Sequence, residues 1–342
     1  MKPFSVLDLF CGCGGLSYGF EQAGYNVLLG IDNWKDALVT YQFNHKLGKI
    51  LQADLSTLHP QKVEKIIGHS VDVVIGGPPC QGYSLAGKRI LEDKRNELYK
   101  AFVQMVRHFE PKAFVLENVP NILSIGNGIV REAIVNDFYS IGYNVAYRVL
   151  TASDYGVPQN RKRTIFVGLK NGNFDFMIPQ TPQKVTVAEA LSDLPEDSVD
   201  DGEPYTIPAI SDYQSLMRKS SIGIHNHQIT EHNEMTKHII SLVPDGGNYK
   251  NLPLEFQGIR KVHIAWTRLN SARPSITIDT GHRHHFHYKY NRVPTVRESA
   301  RLQSFPDNFI FIGSKTIQYK QVGNAVPPLM AQSIAEYLKK FL

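Results

Sequence analysis

The sequence predicts an α/β fold in which helices cover both faces of a mostly parallel sheet. The first observation is an alternation, up to about residue 170, between short apolar runs and longer amphipathic stretches. Runs of this length are typical of buried strands, and strands that alternate with helices indicate parallel pairing. The second observation is the length, because 342 residues exceed one ordinary core and suit two units.

The elements follow in order along the chain. Seven apolar runs are predicted strands, at residues 4–10, 25–32, 49–54, 71–77, 112–119, 143–150 and 163–169. Three predicted helices lie among them, at residues 16–24, 96–111 and 130–142, and each ends at a glycine or a proline. Two more helices are predicted at residues 295–309 and 329–341, with a loop at residues 319–328. Between about residues 170 and 295 the alternation of strands and helices is lost, which predicts a second structural unit there.

Composition narrows the class of protein. No run of about 18 apolar residues is present, so no segment is expected to span a membrane. The first residues enter a strand without the long apolar stretch of a signal peptide, and we therefore expect a cytoplasmic protein. Three cysteines argue against a disulfide framework and against a zinc site. The net charge of +5 is compatible with a polyanionic partner.

Polar residues gather where the predicted strands end, which is the edge at which open parallel sheets bind ligands. The first strand runs into a glycine turn, residues 10–15, where a ligand can approach the backbone closely. Asp32 lies 20 residues after Gly12, the spacing at which a carboxylate binds ribose hydroxyls, and Asp54 ends the third strand. These residues favour a nucleoside ligand, although a tight strand–helix turn would also explain the glycines.

Two further strand ends have reactive side chains. Cys80 follows the stiff turn of residues 76–79, whereas a structural cysteine would lie inside the apolar run. Glu117 ends the fifth strand and could reach the same pocket, or it could be a capping or ion-paired acid. Arg161 and Arg163 are two residues apart on an extended segment, so they share a face that suits an anionic oxygen, unless they form a solvated charge cluster.

Together these residues resemble the cytosine-5 DNA methyltransferase family over essentially the whole chain. Six motifs occur in the order typical of that family: DLFCGCGG, GGPPCQGYS, ENV, QNRKR, RESARLQSFPD and QVGNAVPP. The resemblance implies a Rossmann-like, S-adenosylmethionine-dependent methyltransferase sheet with a smaller, mixed target-recognition domain. It implies that residues 1–170 and 300–342 form the catalytic domain and that residues 171–299 form the recognition domain.

The resemblance also assigns site residues. The catalytic residues would be Cys80, Glu117, Arg161 and Arg163. The contacts to S-adenosylmethionine would be Phe10, Gly12, Gly14, Gly15, Leu16, Asp32, Asn33, Asp54, Leu55, Pro78, Leu98, Asn324, Ala325 and Val326. The contacts to DNA would include Gln81, Ser84, Lys88 and Arg89. No metal is expected, because the histidine-rich segments have no cysteine nearby and a DNA-facing surface explains them more simply.

The same resemblance implies a mechanism. The Cys80 thiolate would add to carbon 6 of cytosine and make carbon 5 nucleophilic toward the methyl group of S-adenosylmethionine. Glu117 would bind or protonate N3, Arg163 would hold O2 where negative charge develops, and Arg161 would help to position the base or contact phosphate. A stacked base cannot reach the thiol, so the nucleotide must be flipped out of duplex DNA. Segment 81–98 would be a lid over it, or else an ordinary surface loop.

Double-stranded DNA is the expected partner. By analogy with compact family members, we expect a bacterial or phage monomer that acts beside a restriction endonuclease without a stable complex. One alternative changes the substrate to tRNA, but the Cys-Phe-Thr signature of that branch is absent. A catalytically inactive DNA-binding module is a second alternative, and the retained nucleophile, acid and cofactor turn argue against it. A third, a nicotinamide dehydrogenase, would leave Cys80 and the arginine pair unexplained.

Overall fold

The computed structural model describes residues 2–46, 48–79, 97–257, 266–281 and 285–342. The chain divides into two compact units. Unit 1 comprises Met1–Thr151, Lys162–Gln180 and Pro328–Leu342, and unit 2 comprises Ala152–Arg161 and Thr181–Pro327. In the described ranges, no helix has the length and apolar character needed to cross a membrane.

Unit 1 is built on a sheet. Its strands are β1 (Ser5–Leu9), β2 (Asn26–Asp32), β3 (Lys49–Gln52), β4 (Val73–Gly76), β5 (Ala113–Asn118), β6 (Asn144–Thr151) and β7 (Lys162–Leu169). Across the described part of this unit they lie in the order β3-β2-β1-β4-β5-β7-β6. Strands β1 to β5 pair in parallel, whereas β7 is antiparallel to both β5 and β6. All seven predicted strands are confirmed, and so is the mostly parallel sheet.

The helices are divided between the two units. Those of unit 1 are α1 (Gly15–Gln22), α2 (Lys35–Asn44), α3 (Pro60–Ile67), α4 (Glu97–Phe109), α5 (Ile129–Tyr139) and the last helix, α12 (Pro328–Leu338). Those of unit 2 are α6 (Val187–Leu191), α7 (Asp212–Arg218), α8 (Glu234–Ser241), α9 (Leu254–Gln257), α10 (Val296–Leu302) and α11 (Lys315–Asn324). Helices α2 and α3 were not predicted from the sequence.

Both faces of the sheet are covered. On one face, α3, α4 and α5 complete an apolar core with the strands, and Phe102, Phe114 and Phe138 lie at its centre. The rings of Phe114 and Phe138 stack with centroids 3.9 Å apart. On the other face α1 packs against α12, and a Cβ added at Gly19 would lie 2.4 Å from Cβ of Ala331. Glycine is therefore required for the close approach of these two helices.

Unit 2 contains little sheet and many buried charges. In its described residues, β8 (Thr267–Arg268) and β9 (His285–Phe286) form a short parallel pair. Capping boxes begin α6, α7 and α10, which stabilises helices of only five to seven residues. Arg301 is fully buried and donates to Asp193 Oδ1 at 2.9 Å and to Asp307 Oδ1 at 2.6 Å. Because buried charges are tolerated only when they are paired, these bonds specify how the short helices pack.

The bounds of the compact units differ from the predicted domain bounds. Residues 152–161 and 300–327 group with unit 2, and residues 171–180 group with unit 1. The bond from Arg301 to Asp193 is a physical reason why residues 300–327 group with unit 2, since it connects them to a part of unit 2 that lies 108 residues earlier in the sequence. The assignment of catalysis and of DNA recognition to particular segments stays a prediction.

The predicted loop at residues 319–328 is wrong up to Asn324, where α11 ends. The helix is stabilised by contacts within unit 2 rather than by its own sequence. Tyr319 is buried, and its hydroxyl donates to the carbonyl of Pro294 at 2.6 Å. A Cβ at Gly323 would lie 2.2 Å from the carbonyl oxygen of Asp279, so this glycine permits a close backbone approach.

Candidate active site

Glu117 and Arg163 form a salt bridge at the end of β5. The antiparallel pairing of β5 with β7 sets Glu117 opposite Ile165 and Asn118 opposite Thr164, so Arg163 follows at the end of the pairing. Nε of Arg163 donates to Oε1 of Glu117 at 2.7 Å, and the two side chains are 14% and 13% exposed. Because both side chains are largely buried, this charge-assisted bond is stronger than a solvent-exposed one. The structure thus brings together the predicted acid and one predicted arginine.

The turn after β4 is held against the same strand end. The side-chain amide of Asn118 donates to the carbonyl oxygen of Pro78 at 2.9 Å. A Cβ at Gly77 would lie 2.8 Å from Oε2 of Glu117, which is why glycine suits this position. Pro78 precedes Cys80 by two residues in the sequence. The residues outside the described ranges include Cys80, Gln81, Ser84, Lys88 and Arg89, and their predicted roles stay predictions.

The glycine turn after β1 has a strained backbone. Phe10, Gly12 and Gly14 have φ angles of 61°, 53° and 97°, all in the left-handed region. Glycine adopts this region freely, but a residue with a Cβ such as Phe10 does so at a cost of about 1 kcal/mol or more. Strain of this kind is concentrated at binding and catalytic sites, so the turn is a candidate ligand site. Helix α1 begins at Gly15, directly after it.

Asp32, at the end of β2, connects two segments of this site. Its Oδ2 accepts from the amide of Gly12 at 2.8 Å, and its Oδ1 accepts from the amide of Trp34 at 2.8 Å. Burial raises the pKa of Asp32, and the hydrogen bonds from Trp34 and Gly12 partly oppose that rise. Each carboxylate oxygen can accept a further bond, so a ribose contact is compatible with this geometry. The bond to Gly12 was not expected from the sequence.

The other predicted contacts in unit 1 follow the same edge. Since β1 to β5 are parallel and adjacent, their carboxyl ends lie side by side. Asp54 follows β3, and its Oδ1 already accepts two hydrogen bonds from the next turn. Leu55 is buried, Asn33 is exposed, and Leu98 packs against the apolar core. Leu16 is buried in α1.

Arg161 occupies a different environment from Arg163. Its side chain belongs to unit 2 and is 1% exposed. Nη1 donates to the carbonyl of Ile278 at 3.2 Å, and Nη2 donates to the carbonyl of Gly323 at 2.8 Å. A guanidinium held in this way supports the backbone around it, so a contact to phosphate does not follow from the geometry. That Arg161 and Arg163 share one face, and that both act in catalysis, stays a prediction.

Asn324, Ala325 and Val326, three predicted cofactor contacts, lie in unit 2 at the end of α11. Ala325 caps the helix with an extended backbone, and Val326 is 8% exposed. The carbonyl of Gly323, the residue before Asn324, is the acceptor for Arg161. The segment is therefore fixed within unit 2, and its contact with a cofactor stays a prediction.

Sequence reasoning gave no role to Asp8, which lies beneath the glycine turn. Asp8 is completely buried in β1, and its Oδ2 accepts from the hydroxyl of Ser17 at 2.6 Å. The Ser17 hydroxyl in turn lies 2.9 Å from the hydroxyl of Tyr41. Burial raises the pKa of Asp8 to about 8, so the carboxyl is mostly neutral at pH 7. An acidic residue inside a predicted buried strand was the available signal.

The two cysteines of the glycine turn are buried thiols. Cys11 is 7% and Cys13 is 3% exposed. Burial raises the pKa of Cys13 to about 12 and that of Cys11 well above its usual value. Both therefore remain neutral at physiological pH, and neither is a nucleophile there.

Taken together, the described edge of unit 1 offers two chemical functions. The glycine turn with Asp32 and Asp54 suits a ligand that has a ribose and a planar base. Glu117 and Arg163 offer a carboxyl group and a guanidinium at the end of β5, which suits a second, hydrogen-bonding heterocycle.

Comparison with known proteins gives a consistent result. A family model described as C-5 cytosine-specific DNA methylase matches residues 4–340. The type II methyltransferase M1.HphI of Haemophilus parahaemolyticus is 40% identical over 341 residues, which cover 98% of this chain and 87% of that protein. M.DdeI, a type II methyltransferase of Desulfomicrobium norvegicum, is 38% identical over 364 residues, with 97% and 88% covered. A crystal structure assigned as a prophage-encoded DNA modification methyltransferase of Escherichia coli superposes with a TM-score of 0.81 at 28% identity, covering 99% of each chain.

Proposed function

The chain belongs to the C-5 cytosine-specific DNA methylase family and is a DNA methyltransferase, and we propose that it uses S-adenosylmethionine to methylate carbon 5 of one cytosine within a short duplex sequence. The observation that supports this most directly is the 2.7 Å ion pair between Glu117 and Arg163, beside the turn that leads to Cys80. N3 and O2 are neighbours on one edge of cytosine, and a carboxyl group next to a guanidinium can bind both.

The edge of unit 1 fits the cofactor. We propose that the backbone of Gly12 and Gly14 lies close to it, that Asp32 binds the ribose hydroxyls, and that Asp54 accepts from the adenine amino group. Phe10 would pack against the adenine or the ribose. When bound, S-adenosylmethionine supplies a methyl group activated by its sulfonium. The other predicted contacts are Gly15, Leu16, Asn33, Leu55, Pro78, Leu98, Asn324, Ala325 and Val326.

The proposed reaction uses one nucleophile, Cys80, and two groups that bind the base, Glu117 and Arg163. The Cys80 thiolate forms a bond to carbon 6 of cytosine, and the displaced electron pair makes carbon 5 nucleophilic. Glu117 acts in its protonated form, which donates to N3 or gives it the proton, and Arg163 binds O2, so both stabilise the charge that develops on the ring. After carbon 5 has taken the methyl group, a water molecule removes its proton, the electrons of the C–H bond form the double bond between carbons 5 and 6, and Cys80 leaves as the thiolate.

The DNA half of the proposal depends on base flipping. A cytosine stacked in a duplex cannot meet a thiol at a strand end, so the target nucleotide must leave the helix. We propose that Gln81, Ser84, Lys88 and Arg89 contact the DNA around the vacated position. Residues of unit 2 would read the base edges. Relatives of this chain are named type II methyltransferases, and we accordingly propose a monomer that protects DNA from a separate endonuclease, with no stable complex.

The experiment measures label transfer and adduct formation together. The wild-type protein is incubated with tritiated S-adenosylmethionine and long unmethylated duplex DNA, and in parallel with the same DNA containing 5-fluorocytosine. The Cys80→Ser variant is the matched control. We expect label in ordinary DNA, and a covalent complex on fluorinated DNA because fluorine cannot leave as a proton does. Both should vanish in the variant.

Other outcomes would overturn the proposal. Label in tRNA but not in DNA would assign the chain to RNA methylation. DNA binding without label or adduct, on DNA that contains every short palindrome, would indicate a binding module. Label that survives Cys80→Ser would exclude this nucleophile.

A further inference from the structure

His45 is buried beside the glycine turn. It follows the last residue of α2, its amide donates to the carbonyl of Tyr41 at 2.9 Å, and it is 2% exposed. Its ring stacks on the ring of Tyr41 with centroids 4.0 Å apart, and the edge of Tyr18 approaches it. Its Nδ1 lies 2.8 Å from Oε2 of Glu21 on α1. The ring orientation is thus set by stacking on one face and by a hydrogen bond at one nitrogen.

The opposite edge of the ring lies against Gly14. A Cβ built at Gly14 would lie only 2.0 Å from Nε2 of His45. Gly14 has a φ of 97°, its amide donates to the carbonyl of Cys11 at 2.9 Å, and its own carbonyl accepts from the amide of Tyr18 at 2.8 Å. It is therefore both the end of the turn and the N-cap of α1. A movement of the histidine ring toward this residue would therefore displace it, and a movement away would leave a gap beside it.

We propose that His45 is a positioning residue for the cofactor, acting through the backbone of Gly14. The proposal rests on the proposed function, since it assumes that the turn binds S-adenosylmethionine. Glycine backbones are the most easily deformed, and a turn that binds a ligand through its backbone needs a rigid support. The ring of His45 provides that support, because Glu21 and Tyr41 hold it in one orientation.

The contact also connects the two sides of the proposed cofactor site. The bond from Gly12 to Asp32 joins the glycine turn to the end of β2. The contact between Gly14 and His45 joins the same turn to the end of α2, which follows β2. These two contacts together fix the distance between the glycine turn and Asp32. The backbone of the turn would bind the amino acid end of the cofactor, and the carboxylate of Asp32 would bind its ribose. One link alone would leave a hinge.

Two substitutions test the two ring nitrogens of His45 separately. The amide group of asparagine lies where Nδ1 of histidine lies, so His45→Asn keeps a group near Glu21 and leaves a gap beside Gly14. The amide group of glutamine lies where Nε2 lies, so His45→Gln keeps the support of Gly14 and weakens the bond to Glu21. We expect His45→Asn to raise the Kd and KM for S-adenosylmethionine about tenfold, and His45→Gln about two- to threefold. The kcat at saturating cofactor should stay within about twofold for both.

His108 supplies a matched control. It forms the same kind of pair, with Nε2 2.9 Å from Glu64 Oε2, but it is partly exposed and far along the chain from the turn. His108→Asn should leave the Kd for S-adenosylmethionine unchanged. If His45→Asn does not fold, Glu21→Gln replaces it, with an expected two- to threefold rise in Kd from the loosened ring.

The measurement is calorimetric binding of S-adenosylmethionine without DNA, followed by kcat and KM with DNA. A wild-type Kd for S-adenosylmethionine in both His45 variants would overturn the proposal. A fall in kcat together with a rise in the KM for DNA would overturn it too. In either case His45 would be an ordinary core residue. Failure of the proposed function gives a different result, because the wild-type protein itself would then not bind S-adenosylmethionine.

Discussion

Oε1 of Glu117 accepts a hydrogen bond from Nε of Arg163 at 2.7 Å, across the antiparallel pairing of β5 with β7. The two residues are separated by 45 others in sequence, and the reversed direction of β7 is what brings them together. If β7 were parallel to β5, Arg163 would lie beside the start of β5, at the opposite end of the strands from Glu117. The last strand of an otherwise parallel sheet therefore has a direct role in the proposed chemistry.

The first prediction concerns the acid. Glu117→Gln keeps the size of the side chain and an acceptor for Arg163, but it can no longer share a proton with N3 of cytosine. We expect kcat to fall about 10²–10³-fold with little change in melting temperature. Steady-state label transfer measures the first quantity and thermal unfolding the second. Glu132→Gln, in the exposed pair with Arg131, should change neither, and equal losses in both variants would contradict the role of Glu117.

The second prediction compares two adjacent glycines of β4 and its turn. A Cβ at Gly77 meets Oε2 of Glu117 at 2.8 Å, whereas a Cβ at Gly76 meets the carbonyl oxygen of Leu9 at 2.1 Å. Gly77→Ala should displace a side chain and lower kcat at least about tenfold in a folded protein. Gly76→Ala should force the sheet apart and lower stability instead. Full activity in Gly77→Ala would show that Glu117 does not need its present position.

The third prediction separates the two arginines. Arg161→Met leaves the carbonyls of Ile278 and Gly323 without their donor inside unit 2, which should cost about 3 kcal/mol of stability. Arg163→Met should instead lower kcat about 10²–10³-fold, with a smaller change in stability. Chemical unfolding and label transfer on both variants test this. An Arg161→Met protein as stable as wild type, but weaker in DNA binding, would favour the phosphate contact.

The arginine pair also shows how far the sequence alone could go. Spacing predicted only that Arg161 and Arg163 share a face, whereas the position of Arg163 beside Glu117 depends on the antiparallel pairing of β5 with β7. Spacing could not show that the guanidinium of Arg161 binds the carbonyls of Ile278 and Gly323, which lie 117 and 162 residues further along the chain. The same limit applies to α11, whose buried Tyr319 and closely packed Gly323 are explained by partners distant in sequence.

The strands, in contrast, were predictable. Buried parallel strands are continuous apolar runs, and that signal is local. The glycine turn and the acids at or just after the ends of β2, β3 and β5 were also found, since strand ends can be located in the sequence. The contact between His45 and Gly14 could not be predicted, because 30 residues separate them in the sequence and neither residue type indicates which partner it packs against. Close packing between elements is information that only the folded chain contains.

The last prediction concerns pH. The pKa of Asp8 is about 8 in the folded chain, against 3.8 for an exposed aspartate, because burial disfavours the charged form. The folded state therefore binds a proton that the unfolded state releases, and stability should fall as pH rises from about 4 to about 8, by up to about 1.4 kcal/mol per pH unit. Asp8→Asn keeps an acceptor for Ser17 and has no proton to lose, so its gain in stability over wild type should be smallest at pH 5 and largest at pH 9.

Urea unfolding of both proteins at pH 5, 7 and 9 measures this difference. Asp36→Asn, on the exposed side of α2, is the control and should leave the pH dependence of wild type unchanged. A stability difference between wild type and Asp8→Asn that does not grow with pH would show that Asp8 is ionised throughout. In that case the hydrogen bonds from Ser17 would stabilise the buried charge enough to offset the cost of burial.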